Sequence, residues 1–139
     1  MDSFSLARFK AAQRGSFGTA RAELQAGRKR SHWMWFMFPQ MRGLGASETA
    51  QFYGIGCRAE AEAYLADPEL GARLIELAEI VARLDAGSAR DIFGAPDDLK
   101  LRSCATLFAS LEGAPPVFAE ILDRYFKGAR DERTLALLG

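Results

Sequence analysis

Histidine and cysteine, the usual zinc ligands, are scarce in this sequence, which holds one histidine, His32, and two cysteines, Cys57 and Cys104. No second cysteine or histidine lies near either cysteine, so the ligand spacings of the usual zinc sites are missing. A lone histidine cannot form a histidine-rich metal site, and no carboxylate stands at helical spacing from His32. We therefore predict neither a bound metal nor a cofactor.

Long hydrophobic runs are also missing. The longest run of large apolar residues, WMWFMF at 33–38, is far shorter than the roughly 20 residues that a transmembrane helix needs. No basic start followed by an apolar stretch and a small-residue cleavage site is present. Two cysteines without a disulfide-like spacing are typical of a reducing compartment. The sequence predicts a cytoplasmic protein that does not enter a membrane.

Net charge is absent overall, because 18 Lys and Arg balance 18 Asp and Glu, but the balance is not local. Residues 1–42 carry a net charge of +6, and their only acids are Asp2 and Glu23. Residues 43–139 carry −6, and no acid occurs between Glu23 and Glu48. Such asymmetry indicates either an anionic ligand or electrostatic pairing within the chain. Overall neutrality excludes a protein that coats bulk polyanions.

Strand-type alternation and β-branched residues are few, whereas helix signals recur. The clearest helix begins with Asp67 as N-cap and Pro68 in the first turn, and Gly87 ends it. Its apolar residues are Leu70, Leu74, Leu77, Val81 and Leu84. Ser88 and Asp91 form a capping-box pattern for a short helical segment that ends at Gly94.

Weaker signals predict further helices on both sides of this region. These begin at Ser3, Thr19, Ser47, residue 58, Asp97 or Asp98, Pro115-Pro116 and Asp131. We predict an all-α protein with a single domain over 1–139, made of about six to eight short helices. Six residues cannot decide between helix and strand at 33–38, so a short strand there is the alternative.

Residues 27–42, GRKRSHWMWFMFPQMR, place cations, the histidine and both tryptophans next to one another. A run of three cations precedes His32 and both tryptophans. Guanidinium groups bind phosphate in bidentate fashion and aromatic rings stack on bases, so this combination suits a planar anionic ligand. The structural alternative is that the aromatic residues belong to the core, the cations are solvated and the histidine is merely hydrogen-bonded.

A second segment places Asp97, Lys100, Ser103 and Cys104 at helical spacing, so one helix face carries all four near its N-terminus. That N-terminus would offer free N–H groups to an anion, and Lys100 would add a charge. The spacing also permits a serine–lysine catalytic pair. The alternative is a capping aspartate beside an ordinary exposed lysine. We predict that this helix and the 27–42 segment face each other across one pocket.

Several blocks of the sequence resemble the bacterial family of domain of unknown function 1810. They are KxSHWMWFxFPQ at 29–40, GLGxS at 43–47, EAxAYL at 60–65, LGxRL at 70–74, IFGxxDxxKLxSxxTLF at 92–108 and DxxTLxLL at 131–138. The resemblance spans almost the whole chain and implies a small, mainly helical domain without an established activity. It also implies a serine where this chain has Cys104.

The first functional hypothesis is a basic and aromatic pocket for a small phosphorylated or nucleotide-like ligand. The predicted ligand-binding residues are Lys29, Arg30, Trp33, Trp35, Gln40 and Lys100. The candidate catalytic residues are His32, Asp97 and Ser103, with His32 and Asp97 handling protons. The sequence leaves open whether the protein is an enzyme.

Two other hypotheses come from different classes. The first is a non-catalytic interaction or regulatory domain that exposes the 33–38 run to a partner. The second is a weak nucleic-acid-binding module whose basic face would consist of Arg8, Arg14, Arg21, Arg28, Lys29, Arg30 and Arg42. A pI of about 6.6 and the lack of a recognised motif argue against nucleic acid. The sequence does not indicate an oligomeric state.

Overall fold

Ten helices joined by short turns make up the part of the chain that the computed structural model describes, residues 2–85 and 87–139. They are α1 Ala7–Gln13, α2 Phe17–Gln25, α3 Met34–Met37, α4 Glu48–Phe52, α5 Arg58–Ala66, α6 Leu70–Arg83, α7 Ala89–Phe93, α8 Asp97–Ala109, α9 Val117–Phe126 and α10 Glu132–Leu138. Over these residues the only β-type pairing is an isolated bridge between Met41 and Ile55. The predicted all-α class is confirmed, with more helices than expected.

The strand alternative at 33–38 is wrong, because this segment contains the single helical turn α3. The N–H of Met37 bonds to the carbonyl of Trp33, and that of Phe38 bonds to Met34. Pro39 follows directly and has no N–H with which to extend the helix. One turn is too short to display a helical period, which is why the sequence pattern did not identify it.

Three predicted N-caps are confirmed. The hydroxyl of Ser47 accepts the N–H of Ala50, and the carboxylate of Asp131 accepts that of Thr134. Ser88 and Asp91 form the complete capping box that opens α7. Such bonds satisfy N–H groups that a helix leaves unpaired at its start.

Other predicted helix starts are wrong by a few residues. Asp2, not Ser3, accepts the N–H groups of Leu6 and Ala7 at the start of α1, and Thr19 lies inside α2. Asp67 does accept the N–H groups of Glu69 and Leu70, but α6 begins only at Leu70. Neither Asp97 nor Asp98 is the N-cap of α8, because that position belongs to Pro96.

The core is organised around α8, which packs against α5, α7, α9 and α10. Its buried face includes Leu101, Cys104, Leu107 and Phe108. The long amphipathic helix α6 packs against α2, α5 and α9, and buries its predicted apolar positions from Leu70 through Val81. Burying this apolar surface is the main source of stability.

The aromatic run at 33–38 belongs to this core. Trp33 is 1% exposed, and Met34, Met37 and Phe38 are buried with it. The rings of Trp33, Phe38 and Phe93 contact one another in tilted or edge-to-face arrangements. The expectation that this run forms an exposed partner patch is therefore wrong, because four of its six side chains are buried and the other two, Trp35 and Phe36, are half-buried.

Part of the charge asymmetry is explained by ion pairs within the chain. Four ion pairs join a cation of residues 1–42 to an acid of the remainder: Arg8–Glu60 at 2.6 Å, Lys10–Asp67 at 2.9 Å, Arg21–Glu76 at 3.1 Å and Lys29–Asp97 at 2.9 Å. Three of the cations proposed for a nucleic-acid face are thus paired with acids. A fourth, Arg42, donates to the carbonyls of Gln51 and Gly54.

Both cysteines are free thiols, with Cys57 exposed and Cys104 buried in α8. None of the helices over residues 2–85 and 87–139 has the length and apolar character needed to cross a bilayer.

Replacing Gly71 by alanine should destabilise the protein strongly. Gly71 is buried in α6, and a Cβ there would collide with the carbonyl oxygen of Leu65 at the end of α5. We expect a loss of about 3 kcal/mol in the free energy of unfolding, measured by chemical denaturation. The matched control is Gly18→Ala in α2, where a Cβ meets nothing within 4 Å. This control should be neutral or stabilising by up to about 1 kcal/mol. Equal midpoints for the two variants would contradict the close packing of α5 on α6.

Candidate functional site

The carboxylate of Glu23, on α2, holds the start of the aromatic segment in place. Its Oε1 accepts the N–H of Arg30 at 2.8 Å, the N–H of Ser31 at 3.0 Å and the indole N–H of Trp33 at 2.9 Å. Its Oε2 accepts the hydroxyl of Ser31 at 2.5 Å. One ionised side chain therefore satisfies four donors from three residues, Arg30, Ser31 and Trp33, which fixes the path of residues 30–33.

Burial raises the pKa of the Glu23 carboxyl, but the hydrogen bonds from Ser31, Arg30 and Trp33 outweigh it and lower this pKa from 4.5 to about 2. Bonds donated to the ionised form favour that form. Glu23 therefore carries its charge at every pH near neutrality.

Lys29 joins this segment to α7 and α8. Its backbone N–H bonds to the carbonyl of Ile92 at 2.7 Å, and its ammonium donates to the carbonyl of Ser31 and to Asp97. The ammonium also lies 5.0 Å from the centre of the Trp33 ring. Only 8% of the side chain is exposed. Lys29 is thus a buried cation whose partners come from the chain itself.

Asp97, in the first turn of α8, is shared by two ammonium groups. It lies 2.9 Å from Lys29 Nζ and 3.1 Å from Lys100 Nζ. Burial raises its pKa, but the two lysines outweigh this effect and lower the pKa below its ordinary value. Asp97 is therefore ionised near neutral pH and orients two cations.

Trp35 lies beside Lys100, whose ammonium is 3.7 Å from the centre of the indole ring. This is a close cation–π contact. Trp35 is half-buried, unlike Trp33. The indole and the carboxylate of Asp97 together fix the position of the Lys100 ammonium.

Two cavities open around the Trp35–Lys100 pair. The larger has a volume of about 370 Å³ and is lined by Trp35, Gln40, Leu44, Gly45, Pro96, Leu99, Lys100, Arg102, Ser103, Asp131 and Arg133. The smaller, of about 100 Å³, is lined by Lys29, His32, Met34, Trp35, Asp97 and Lys100. The aromatic segment and α8 therefore meet at a concave surface.

Seven of the nine predicted site residues line one or both cavities. They are Lys29, His32, Trp35, Gln40, Asp97, Lys100 and Ser103. Arg30 and Trp33 line neither. The side chain of Arg30 is exposed, and the ring of Trp33 is enclosed in the core with its N–H bound to Glu23. The expectation that Trp33 forms a pocket wall does not fit this position.

The N–H groups of Asp98, Leu99 and Lys100 at the N-terminus of α8 are not free, in contrast to the prediction. The N–H of Asp98 bonds to the carbonyl of Gly94, and those of Leu99 and Lys100 bond to the carbonyl of Pro96. Asp97 and Asp98 also place two negative charges in this first turn. Three N–H groups of this turn are thus already bonded, and its two carboxylates would repel an anion.

Sequence reasoning missed three charged residues of the larger cavity, namely Arg102, Asp131 and Arg133. Arg102 follows Lys100 by two positions and belongs to no motif that would have marked it as a site residue. Asp131 was identified only as a helix cap. Arg133 is separated from Lys100 by 33 positions, and only the packing of α10 against α8 brings it here.

The two missed arginines keep most of their donors free of chain partners. Over the described residues, Arg102 has one contact with an acceptor, Asp131 at 3.6 Å, and Arg133 has one, the carbonyl of Gly43 at 3.3 Å. By contrast, the guanidinium of Arg8 donates to the carbonyls of Phe4, Ser5, Phe52 and Gly54 and to the carboxylate of Glu60. Arg8 stabilises the fold, whereas Arg102 and Arg133 have donors to offer.

Asp131 is ionised as well. Burial raises its pKa, but hydrogen bonds from Thr134 and the charge of Arg102 outweigh this and lower it. Nowhere in residues 2–85 and 87–139 do three side chains of the metal-binding types lie close enough together to hold a metal ion.

Fold and site together define a class: a small all-α protein with a concave surface on which several cations lie around Trp35. The chain belongs to the family described as protein of unknown function (DUF1810), whose sequence profile matches residues 3–138. It is similar to the conserved hypothetical protein Rv1873 of Mycobacterium tuberculosis, known from a crystal structure. The two are 50% identical with a TM-score of 0.97, covering 99% of this chain and 98% of that one. No curated protein matches the chain.

Replacing Glu23 by glutamine should destabilise the protein by about 2 kcal/mol at pH 7, because four donors lose an ionised acceptor. The folded-state pKa of Glu23 lies below its ordinary value, so its stabilising charge is complete above pH 4.5 and is lost as the pH falls towards 2. The difference between wild type and variant should shrink over that range in urea denaturation.

The matched control is Glu62→Gln, since Glu62 is exposed on α5. This control should stay within about 0.5 kcal/mol of wild type at every pH. A Glu23→Gln variant as stable as wild type at pH 7 would show that the 30–33 segment does not depend on this carboxylate.

Proposed function

We propose that the protein binds a small anionic ligand of the phosphorylated or nucleotide-like class in the larger cavity. The observation that carries this proposal is the convergence of Lys100, Arg102 and Arg133 on one concave surface beside Trp35. Arginine forks match the geometry of phosphate oxygens, and a lysine adds a point charge.

The state of these cations supports the proposal. Within the described part of the chain, Arg102 and Arg133 each have one contact with an acceptor, at 3.6 and 3.3 Å, so most of their N–H groups can reach a ligand. The Lys100 ammonium is held by Asp97 and the Trp35 ring, which reduces the conformational entropy that binding would cost. A site with one pre-positioned cation and two adaptable ones suits a compact anion.

The remaining wall suits the uncharged part of such a ligand. Leu99 is 57% exposed although it lines a concave surface, and Leu44 lies in the same cavity. The carboxamide of Gln40 makes no hydrogen bond within residues 2–85 and 87–139, which leaves a donor and an acceptor for a polar edge. Because Lys100 covers part of the indole, Trp35 would contact a ligand ring through its remaining surface.

The volume of the larger cavity limits the size of the ligand. A volume of about 370 Å³ lies near the lower end of the roughly 300–1,000 Å³ typical of small-molecule pockets. We therefore propose a ligand of mononucleotide size or smaller. His32, Asp97 and Ser103 stay predictions as catalytic residues, and the proposal concerns binding alone.

Isothermal titration with nucleoside monophosphates and sugar phosphates tests this function. We expect at least one member of the panel to bind at low ionic strength, and we expect the double variant Arg102→Gln/Arg133→Gln to bind it at least about tenfold more weakly. The loss arises because two charge-assisted contacts to the anion disappear.

The control is Arg28→Gln, which removes an exposed arginine that lines neither cavity. It should bind the same ligand as wild type does. If the control loses as much affinity as the double variant, binding follows net charge and the larger cavity is not the site. If no member of the panel binds, the proposed function is wrong.

A further inference from the structure

We infer that the anion selected by the larger cavity is a dianion, a terminal phosphate monoester, rather than a singly charged diester, sulfate ester or carboxylate. This inference rests on the proposed function and specifies the charge of its ligand. It follows from the charges that line the site and from the contacts that each of them already makes.

The cavity has a surplus of two positive charges. Three cations, Lys100, Arg102 and Arg133, face one acid, Asp131. Including the smaller cavity adds the ion pair of Lys29 with Asp97, which leaves the surplus unchanged. A ligand with two negative charges would neutralise this surplus, whereas a monoanion would leave one cation unpaired.

The surplus of two already includes the negative charges of both acids, Asp97 and Asp131, which have partners within the chain. Asp97 already bridges two ammonium groups. Asp131 accepts from the N–H and the hydroxyl of Thr134, and lies 3.6 Å from Arg102. The surplus is therefore built into the fold.

The number of cations also favours a phosphate monoester over a diester. The terminal phosphate of a monoester presents three strong acceptor oxygens, and three separate cations line this cavity. A diester has one fewer terminal oxygen and one fewer charge. The apolar side chains of Leu44, Leu99 and Trp35 lower the local dielectric constant. Each charge–charge contact in the cavity is therefore stronger than it would be in open solvent.

A pair of isosteric probes tests the inference. Phenyl phosphate is a dianion at pH 8, because its second pKa is near 6, whereas phenyl sulfate keeps the same shape with one charge. By isothermal titration we expect phenyl phosphate to bind at least about tenfold more tightly than phenyl sulfate. Adenosine 5′-monophosphate and its methyl phosphodiester form a second pair, for which the same preference is expected.

The variant Arg133→Gln links the preference to the cavity. It removes one of the two surplus charges, so the preference for phosphate over sulfate should fall several-fold. The control Arg130→Gln loses the same charge three positions away, outside the cavity lining, and should keep the full preference. Arg102→Gln gives a second reading should the first variant unfold, and circular dichroism checks the fold of each.

The outcomes separate the two claims. Equal affinity for the two members of each pair, with binding lost in the Arg102→Gln/Arg133→Gln variant, overturns the dianion inference and leaves the proposed function standing. A preference that Arg130→Gln reduces as much as Arg133→Gln also overturns it, because net charge would then be the cause. Failure of both monoesters to bind overturns the inference, and failure of the whole nucleotide and sugar-phosphate panel overturns the proposed function as well.

Discussion

The ionised side chain of Glu23 is the contact on which the site depends. No other acid occurs between Asp2 and Glu48, so it is the one local acceptor of full charge available to residues 30–33. Because it binds three backbone and side-chain groups of this stretch and the indole of Trp33, the stretch cannot turn elsewhere. With this path fixed, Lys29 reaches Asp97, and Asp97 in turn places Lys100 against Trp35.

Pairing within the fold accounts for part of the uneven distribution of charge along the chain. Pairs such as Arg8–Glu60 and Lys29–Asp97 connect the basic first third to the acidic remainder, so part of the asymmetry stabilises the fold. Such buried pairs cost desolvation energy and are retained only when each partner is well bonded. The three cations of the larger cavity, Lys100, Arg102 and Arg133, instead all come from the acidic part of the chain, which the count along the sequence did not indicate.

Features with local causes could be predicted from the sequence. The capping box at Ser88, the cap at Asp131 and the apolar face of α6 depend on residues within a few positions of one another. The short helix α3 could not be predicted, because its conformation follows from the enclosure of Trp33 and Phe38 rather than from propensity. Arg133 reaches the site only through the packing of α10, which no spacing rule anticipates.

The two tryptophans stand two positions apart yet differ in surroundings. Trp33 is enclosed and bound to a carboxylate, whereas Trp35 is half-buried beside an ammonium group and borders both cavities. Their ultraviolet emission therefore reports on separate events in one molecule. The fluorescence of Trp33 reports on the packing of the core, and the fluorescence of Trp35 reports on the electrostatic environment of the concave surface. In a variant that keeps only one tryptophan, the fluorescence would report on only one of these two properties.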